Sequence, residues 1–280
     1  MSKKISNQKK REIRDYYQDN PITIANLAKL FNISAPTAGE ICKNLPKWKK
    51  TQIFSPQLQE NWFEKIDSEE KAYYLGFFIT DGNVYDTNRT QAVCSLTQKD
   101  EDAYILQKWL DLVKSNRKIA QDGRGCSQAS VLSNKMRDDL AKYGVVPKKT
   151  FHTHLPVLPE SLMSHLIRGI LDGDGNIEAK WFIPPDGRKR FKHKISFCGT
   201  HQLMEEINNY LVKTLNLKVS RTPYDYKNKE LSEIQYTNYE DIEKIGSFIY
   251  KNSTIYLSRK KEHYDLIKQR IESRQQCANS

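Results

Sequence analysis

Two stretches of this chain decide how the rest is read: Tyr74-Leu-Gly-Phe-Phe-Ile-Thr-Asp-Gly82 and Ile167-Arg-Gly-Ile-Leu-Asp-Gly-Asp-Gly175. Each is an apolar run with a small residue at its third and seventh places, closed by Asp-Gly, and the acids Asp81 and Asp174 fall 93 positions apart. The first run is apolar nearly all round, which marks a buried helix. Asp67 and Glu70 fit an N-cap and its reciprocal partner at its start. The small residues Gly76 and Thr80 lie i,i+4, as do Gly169 and Gly173, so each pair sits on one helix face. Glycine costs a helix interior about 1 kcal/mol against alanine. A flat face that lets two helix backbones cross closely offsets that cost.

The likeness continues downstream. Ala92–Lys99 and then Tyr104–Leu110 read as strand and helix, as do Lys194–Thr200 and Met204–Leu211. Ser130–Asn134 before Asp139–Gly144 parallels Ile234–Asn238 before Ile242–Gly246. The offset grows from 93 at the acids to 101 (Leu96 to Phe197) and 104 (Asn134 to Asn238). The extra residues enter at the turn Pro184-Pro-Asp-Gly-Arg188, which predicts a longer hairpin. Each copy orders as αββαββα, giving an α+β chain with boundaries at 67–155 and 156–272, a linker over 51–66 and a tail over 273–280.

The crossing brings Asp81 and Asp174 together at two helix C-termini, where each faces the negative end of a macrodipole and repels the other. A divalent cation relieves this. Oxygen ligands from two carboxylates, water and a substrate phosphate suit Mg²⁺ better than zinc. Asp-Gly after a helix is also a common turn, and for either acid alone that plainer reading would stand.

The formal charge is +11 at pI ≈ 9.2, which favours an anionic partner. Five scattered cysteines without Cys-x-x-Cys spacing argue against a zinc site or a disulfide framework and for reduced, intracellular thiols. No apolar run is long enough to span a bilayer, and the Lys-rich start lacks the apolar core of a secretion signal. An intracellular, cytoplasmic or organellar protein is expected. Residues 1–50 hold eleven Lys/Arg against four acids. Within them Ile24, Leu27, Ala28 and Phe31 have helical spacing, Asn32 suits a tight turn, and Ser34 can cap a second helix through Ile41. This resembles a helix-turn-helix, with Thr37 and Lys43 among the residues exposed to DNA; an ordinary small helical bundle is the plainer alternative. Pro46–Pro56 would then be a linker lying along phosphates.

The paired segments are similar to the twin motifs of the LAGLIDADG homing endonucleases in their monomeric, two-repeat form. The resemblance covers roughly residues 55–270. It implies two pseudo-symmetric repeats, with two four-stranded antiparallel sheets forming a saddle over double-stranded DNA that carries a long asymmetric target. Asp81 and Asp174 occupy the eighth-position acids with which that family holds two or three Mg²⁺ ions, Mn²⁺ substituting, beside the backbone of Thr80 and Gly173. The sixth position is Asp172 in the second motif but Ile79 in the first, and it is not the metal-binding one. Metal-assisted water attack on one phosphodiester in each strand, across the minor groove, is the implied reaction. Such sites include peripheral basic residues. Lys148-Lys149 and Arg259-Lys260 stand at similar places, and Lys149 and Lys260 are preferred, a solvated basic turn being the alternative for either pair.

Strand alternation sends Ala92, Cys94 and Leu96 inward and Gln91, Val93, Ser95 and Thr97 outward. Asn83 and Tyr85, with Thr87, follow Asp81 as Asn176, Glu178 and Lys180 follow Asp174. Arg188, Arg190, Lys192 and Lys194 form the densest cationic cluster, with Arg117, Lys118, Arg124 and Arg221 as further candidates to meet bases and phosphates. His152 and His154 offer a lesser metal pair. An RNA-splicing maturase and a catalytically inactive DNA-binding regulator of the same fold are the competing functions. A helix-turn-helix suits B-form DNA better than A-form RNA.

Overall fold

The computed structural model describes residues 5–48, 57–86, 91–147, 153–218, 221–226 and 231–279. The chain divides into two compact units, 1–59 with 110–117 and 60–109 with 118–280.

The first unit carries three helices: α1 (Asn7–Asp19), α2 (Ile24–Leu30) and α3 (Ala35–Ile41). Thr23 and Ser34 cap α2 and α3 by accepting from the amides of Asn26 and Thr37. Asn32 takes the left-handed conformation between them, φ 52°, which asparagine tolerates better than most residues. Ile13, Tyr17, Leu27, Ala28, Ala38 and Cys42 close a small core. The Trp48 indole fastens the segment after α3 by donating to Tyr17 O at 2.6 Å.

In the second unit the chain runs α4 (Glu69–Thr80), β1 (Gly82–Asp86), β2 (Ala92–Lys99), α5 (Ala103–Leu112, its end shared with the first unit), β3 (Ala120–Gln121), β4 (Cys126–Leu132) and α6 (Asn134–Ala141). It repeats as α7 (Glu160–Asp174), β5 (Asn176–Phe182), β6 (Arg190–Gly199), α8 (His201–Leu215), β7 (Tyr224–Asp225), β8 (Ser232–Tyr236) and α9 (Tyr239–Tyr250), and closes with α10 (Ser258–Asn279). The two sheets are four-stranded and antiparallel, with matching orders β1-β2-β4-β3 and β5-β6-β8-β7. The hairpin holding Pro184 is the longer one, its pairing reaching Phe182 and Arg190, with Gly187 at φ 73° in the turn.

Three local expectations change and a fourth is refined. Ser68, not Asp67, caps α4, its hydroxyl accepting from the Lys71 amide; Asp67 instead pairs with the Lys71 ammonium at 2.9 Å. Residues 60–66 are no linker. Trp62, Phe63 and Ile66 are buried, and the rings of Trp62 and Phe63 pack edge-on against Tyr74 and Phe78. The stretch 273–279, expected as a tail, continues α10. Val93 and Ser95 do take the outward face, paired with the exposed Tyr85 and Asn83, but they are buried on it, because β2 is an inner strand between β1 and β4. The linker residues 49–56 lie outside the described residues. Among the described residues, no helix is long and apolar enough to cross a membrane.

Candidate active site

The site begins at the crossing of α4 and α7. A Cβ placed on Gly76 would lie 2.2 Å from Leu166 O, and one on Gly169 would lie 2.0 Å from Tyr73 O. Four residues on, a Cβ on Gly173 would lie 1.9 Å from Thr80 Oγ1 and 3.5 Å from Asp81 Oδ2. Backbone therefore meets backbone along the first half of the seam, and the seam delivers the carboxylate of Asp81 to the residue preceding Asp174. Thr80 turns its hydroxyl back to Phe77 O at 3.1 Å, and that same Oγ1, with Cβ, is what lies against Gly173.

Asp81 is half-buried as the C-cap residue of α4, and its amide donates to Phe77 O at 2.9 Å. Its Oδ2 accepts from the side-chain amide of Gln98 on β2. Asp174, the last residue of α7, is exposed. Beside it a pocket of about 80 Å³ is lined by Thr80, Asp174, Cys198, Gly199 and Thr200. Gln98 is the site residue that sequence reading missed. The signal was there: it continues the inward parity of Ala92, Cys94 and Leu96 with a polar side chain.

A charged network is buried behind the acids. Arg168, fully buried, donates to Ile249 O, Ile255 O and Glu69 Oε1 at 2.7–2.8 Å. Asp172 accepts from Tyr73 OH at 2.9 Å and from the Leu257 amide at 2.8 Å. Burial pushes the Asp172 carboxyl up and the Arg168 guanidinium down from their ordinary ranges. These bonds tie α4, α7 and the segment leading into α10 together. Ile79, at the first-motif place matching Asp172, is simply apolar and buried.

Lys260 is turned inward. Only 2% exposed, its ammonium donates to Leu171 O at 2.6 Å, Gly175 O at 2.7 Å and Asp172 O at 2.8 Å. It caps the end of α7 from inside and places a positive charge against the negative helix terminus that carries Asp174. Burial lowers its pKa to about 8. Substituting Lys260→Met strands those carbonyls and is expected to cost on the order of 2 kcal/mol, read by urea denaturation. The unfolded chain keeps the lysine proton to its ordinary 10.5 while the folded protein releases it near 8. Between those values the unfolded state binds more protons, so the wild-type advantage over Lys260→Met is expected to widen as pH rises through the window. Arg259 is tied to Asp102 at 2.8 Å. Lys148, Lys149 and His152 lie outside the described residues, while His154 meets Glu206 at 2.8 Å.

The strand candidates separate into a face and its neighbours. Directly paired residues share a face, and Glu178 pairs with Lys194, Lys180 with Lys192 and Phe182 with Arg190. Asn176, Glu178, Lys180, Arg190, Lys192 and Lys194 therefore line one side of the second sheet, with Glu178 salt-bridged to Lys180 at 2.8 Å and Lys192 at 3.0 Å. Asn83, Tyr85 and Thr97 are exposed on the matching side of the first sheet, and Gln91 is half-buried at its start. Lys118, Arg124 and Arg188 are exposed. Arg221 is half-buried, its backbone amide held by Asn208. Arg117 is half-buried and falls in the first unit, where Lys43 is exposed beside Glu40 and Thr37 spends its hydroxyl on the Ser34 cap at 2.7 Å.

Comparison with solved structures places this architecture. The I-SmaMI LAGLIDADG homing endonuclease bound to cleaved DNA superimposes with a TM-score of 0.55 at 12% identity, over 75% of this chain and 91% of that one. The fold is that of the LAGLIDADG homing endonucleases. I-SmaMI bound to its uncleaved DNA target in the presence of calcium ions gives 0.53 at 13% identity, over 77% and 94%. The LAGLIDADG meganuclease I-AabMI bound to uncleaved DNA gives 0.52 at 16%, over 72% and 91%. No family model and no curated protein matches the chain. The LAGLIDADG architecture is thus carried by backbone arrangement, with α4 and α7 as its two motif helices.

The donor set beside the crossing fits a hard divalent cation. Both acids are carboxylates at helix C-termini, and neither soft sulfur nor imidazole approaches them in a ligand cluster: among the described residues no group of three or more His, Cys, Asp or Glu gathers. A cation held by Asp81 and Asp174 would complete its shell with water and phosphate oxygen, as Mg²⁺ prefers.

Proposed function

We propose that this protein is a site-specific double-strand DNA endonuclease, acting as a monomer, whose Asp81 and Asp174 hold divalent cations, Mg²⁺ by preference. The observation that carries this reading is the placement of both carboxylates at one helix crossing, Asp81 Oδ2 lying 3.5 Å from a Cβ position on Gly173. Bound cations supply a nucleophilic water at neutral pH and neutralise charge on the attacking and leaving oxygens. The chain's residues do the rest. Gln98 aims the Asp81 carboxylate, Lys260 fixes the end of α7, and the buried Arg168 and Asp172 network keeps the two helices from sliding.

Two pseudo-symmetric halves match two antiparallel strands, so a single site addresses both. The lysine-rich face of β5 and β6, with Asn83, Tyr85 and Thr97 on the first sheet, serves to grip phosphates and meet base edges. The basic three-helix unit adds a second DNA-reading surface through α3. That two neighbours in the same fold are bound to DNA, one of them with calcium, supports the reading.

Incubation with a randomised duplex library and Mg²⁺ tests it. One long asymmetric sequence is expected to emerge cut in both strands, and chelation is expected to stop the reaction. Absence of cleavage with Mg²⁺ and Mn²⁺ would overturn the proposal, as would tighter binding to structured RNA than to any selected duplex.

A further inference from the structure

Two adjoining large apolar side chains stand in the open on the lengthened β5–β6 hairpin, Phe182 38% and Ile183 69% exposed. Their surroundings are cationic: residues 178–192 hold five cations, Lys180, Arg188, Lys189, Arg190 and Lys192, against the two acids Glu178 and Asp186. Directly paired residues share a face, so Phe182, opposite Arg190, stands on the side of Lys180 and Lys192, while Trp181, opposite Phe191, stands on the other.

That other side is braced. The Trp181 ring meets Phe191 at 5.3 Å between centroids, and the Arg270 guanidinium of α10 lies 5.2 Å from the Trp181 centroid. Next along the strand, His193 stacks on Tyr239 of α9 at 3.9 Å, with Arg274 of α10 at 5.0 Å from the Tyr239 centroid. At the tip, the Gly187 amide closes the turn by donating to Pro184 O at 2.9 Å, and Pro184 and Pro185 each fix a backbone dihedral. An arm stiffened in this way loses little freedom when its exposed side chains are engaged. Apolar groups ringed by cations complement a polyanion with an apolar interior, which is what stacked bases between two phosphate backbones present.

We propose, resting on the nuclease reading, that the hairpin tip carries an apolar wedge, Phe182 with Ile183 beside it, that enters between two base pairs at the outer end of the target and unstacks them. Phenylalanine and isoleucine are among the side chains that part base steps in this way, and the resulting kink lets the duplex cover more protein surface. Pyrimidine–purine steps part most readily. The tip therefore selects such a step by its deformability, with no hydrogen bond to a base edge.

The test uses the duplex that the protein selects by binding from a randomised pool, without divalent metal. 2-Aminopurine replaces each adenine of the outer second half in turn. Its fluorescence is expected to rise several-fold at one pyrimidine–purine step when the wild type binds. Phe182→Ser is expected to lose that rise and to weaken binding roughly ten-fold, the scale of one base–aromatic stack. The dependence of affinity on salt should be unchanged, since no phosphate contact is removed. Phe182→Leu should keep part of the rise, and Ile183→Ser should lower it by less than Phe182→Ser does. Melting temperatures within a few degrees of wild type place the loss in the contact and not in the fold. No rise at any step, or a rise undiminished in Phe182→Ser, would overturn the proposal. So would a dimer seen by sedimentation that Phe182→Ser dissolves, which would assign the apolar pair to a second copy of the chain. A wild type that cuts the duplex without unstacking it would overturn this inference alone; one that unstacks the step yet cuts neither strand with Mg²⁺ or Mn²⁺ would overturn the nuclease reading alone.

Discussion

Asp81→Asn and Asp174→Asn are each expected to remove double-strand cleavage of the selected target, with rates falling on the order of 10³-fold or more, a loss larger than that of one neutral transition-state donor. Asparagine keeps the size and one oxygen but loses the charge that makes a carboxylate a cation ligand. Two further readouts separate this from simple damage. DNA affinity measured without metal should hold or tighten, because each acid repels phosphate when no cation is bound. Stability should hold or rise by about 0.3–1 kcal/mol, since a carboxylate at a helix C-terminus opposes the macrodipole. A variant that loses cleavage while gaining both binding and stability has lost chemistry alone. Unchanged cleavage in either variant would remove that acid from the mechanism.

Such a stability cost, retained at both acids, sets the site apart from the rest of the fold. The repeat, its element order and the helix crossing were legible because each rests on composition that only one environment tolerates. An all-round apolar helix such as α4 must be buried, and paired glycines at helical spacing serve no purpose unless another backbone approaches. The Asn32 turn and the Ser34 cap were legible for the same local reason. What escaped depends on register or on direction. Gln98 reads as one more strand residue until the pairing of β2 with β1 sets it beside the end of α4. Lys260 reads in sequence as a basic residue beside the reacting phosphate, or as part of a solvated turn, because sequence shows charge and not where the side chain turns; here it turns inward to carbonyls at the end of α7. Arg168 and Asp172 sit inside a mainly apolar motif, and among their partners Glu69 and Tyr73 come from one distant segment, α4, and Leu257 from another, the stretch before α10. Trp62 and Phe63 show the opposite case: they fall within 51–66, expected as linker, yet the aromatic pair fills the core beside α4.

The glycine seam makes the second large prediction. Gly169→Ala adds a Cβ that would lie 2.0 Å from Tyr73 O, a backbone atom that cannot rotate away. Alanine's better helix propensity returns about 1 kcal/mol. Overpacking against a fixed backbone costs roughly 1–3 kcal/mol or more, and this clash outweighs the propensity gain because α4 and α7 can relieve it only by separating. Net destabilisation is therefore expected, visible as a melting temperature lowered by several degrees. Separation also moves Asp81 away from Asp174, and a displacement near 1 Å is expected to cost on the order of 10²-fold in cleavage. Gly173 discriminates between crowding and any other cause. There the obstructing atoms belong to the Thr80 side chain, at 1.9 Å for Oγ1 and 2.7 Å for Cβ. Gly173→Ala should therefore be damaging alone and largely rescued by Thr80→Gly, a coupling that a double-mutant cycle measures directly. No second-site glycine can rescue Gly169→Ala in that way, since its obstacle is the carbonyl of Tyr73 and not a side chain. If Thr80→Gly fails to restore Gly173→Ala, the seam is not what holds the two acids at their separation, and the spacing of Asp81 and Asp174 must be set by the Arg168 and Asp172 network behind them.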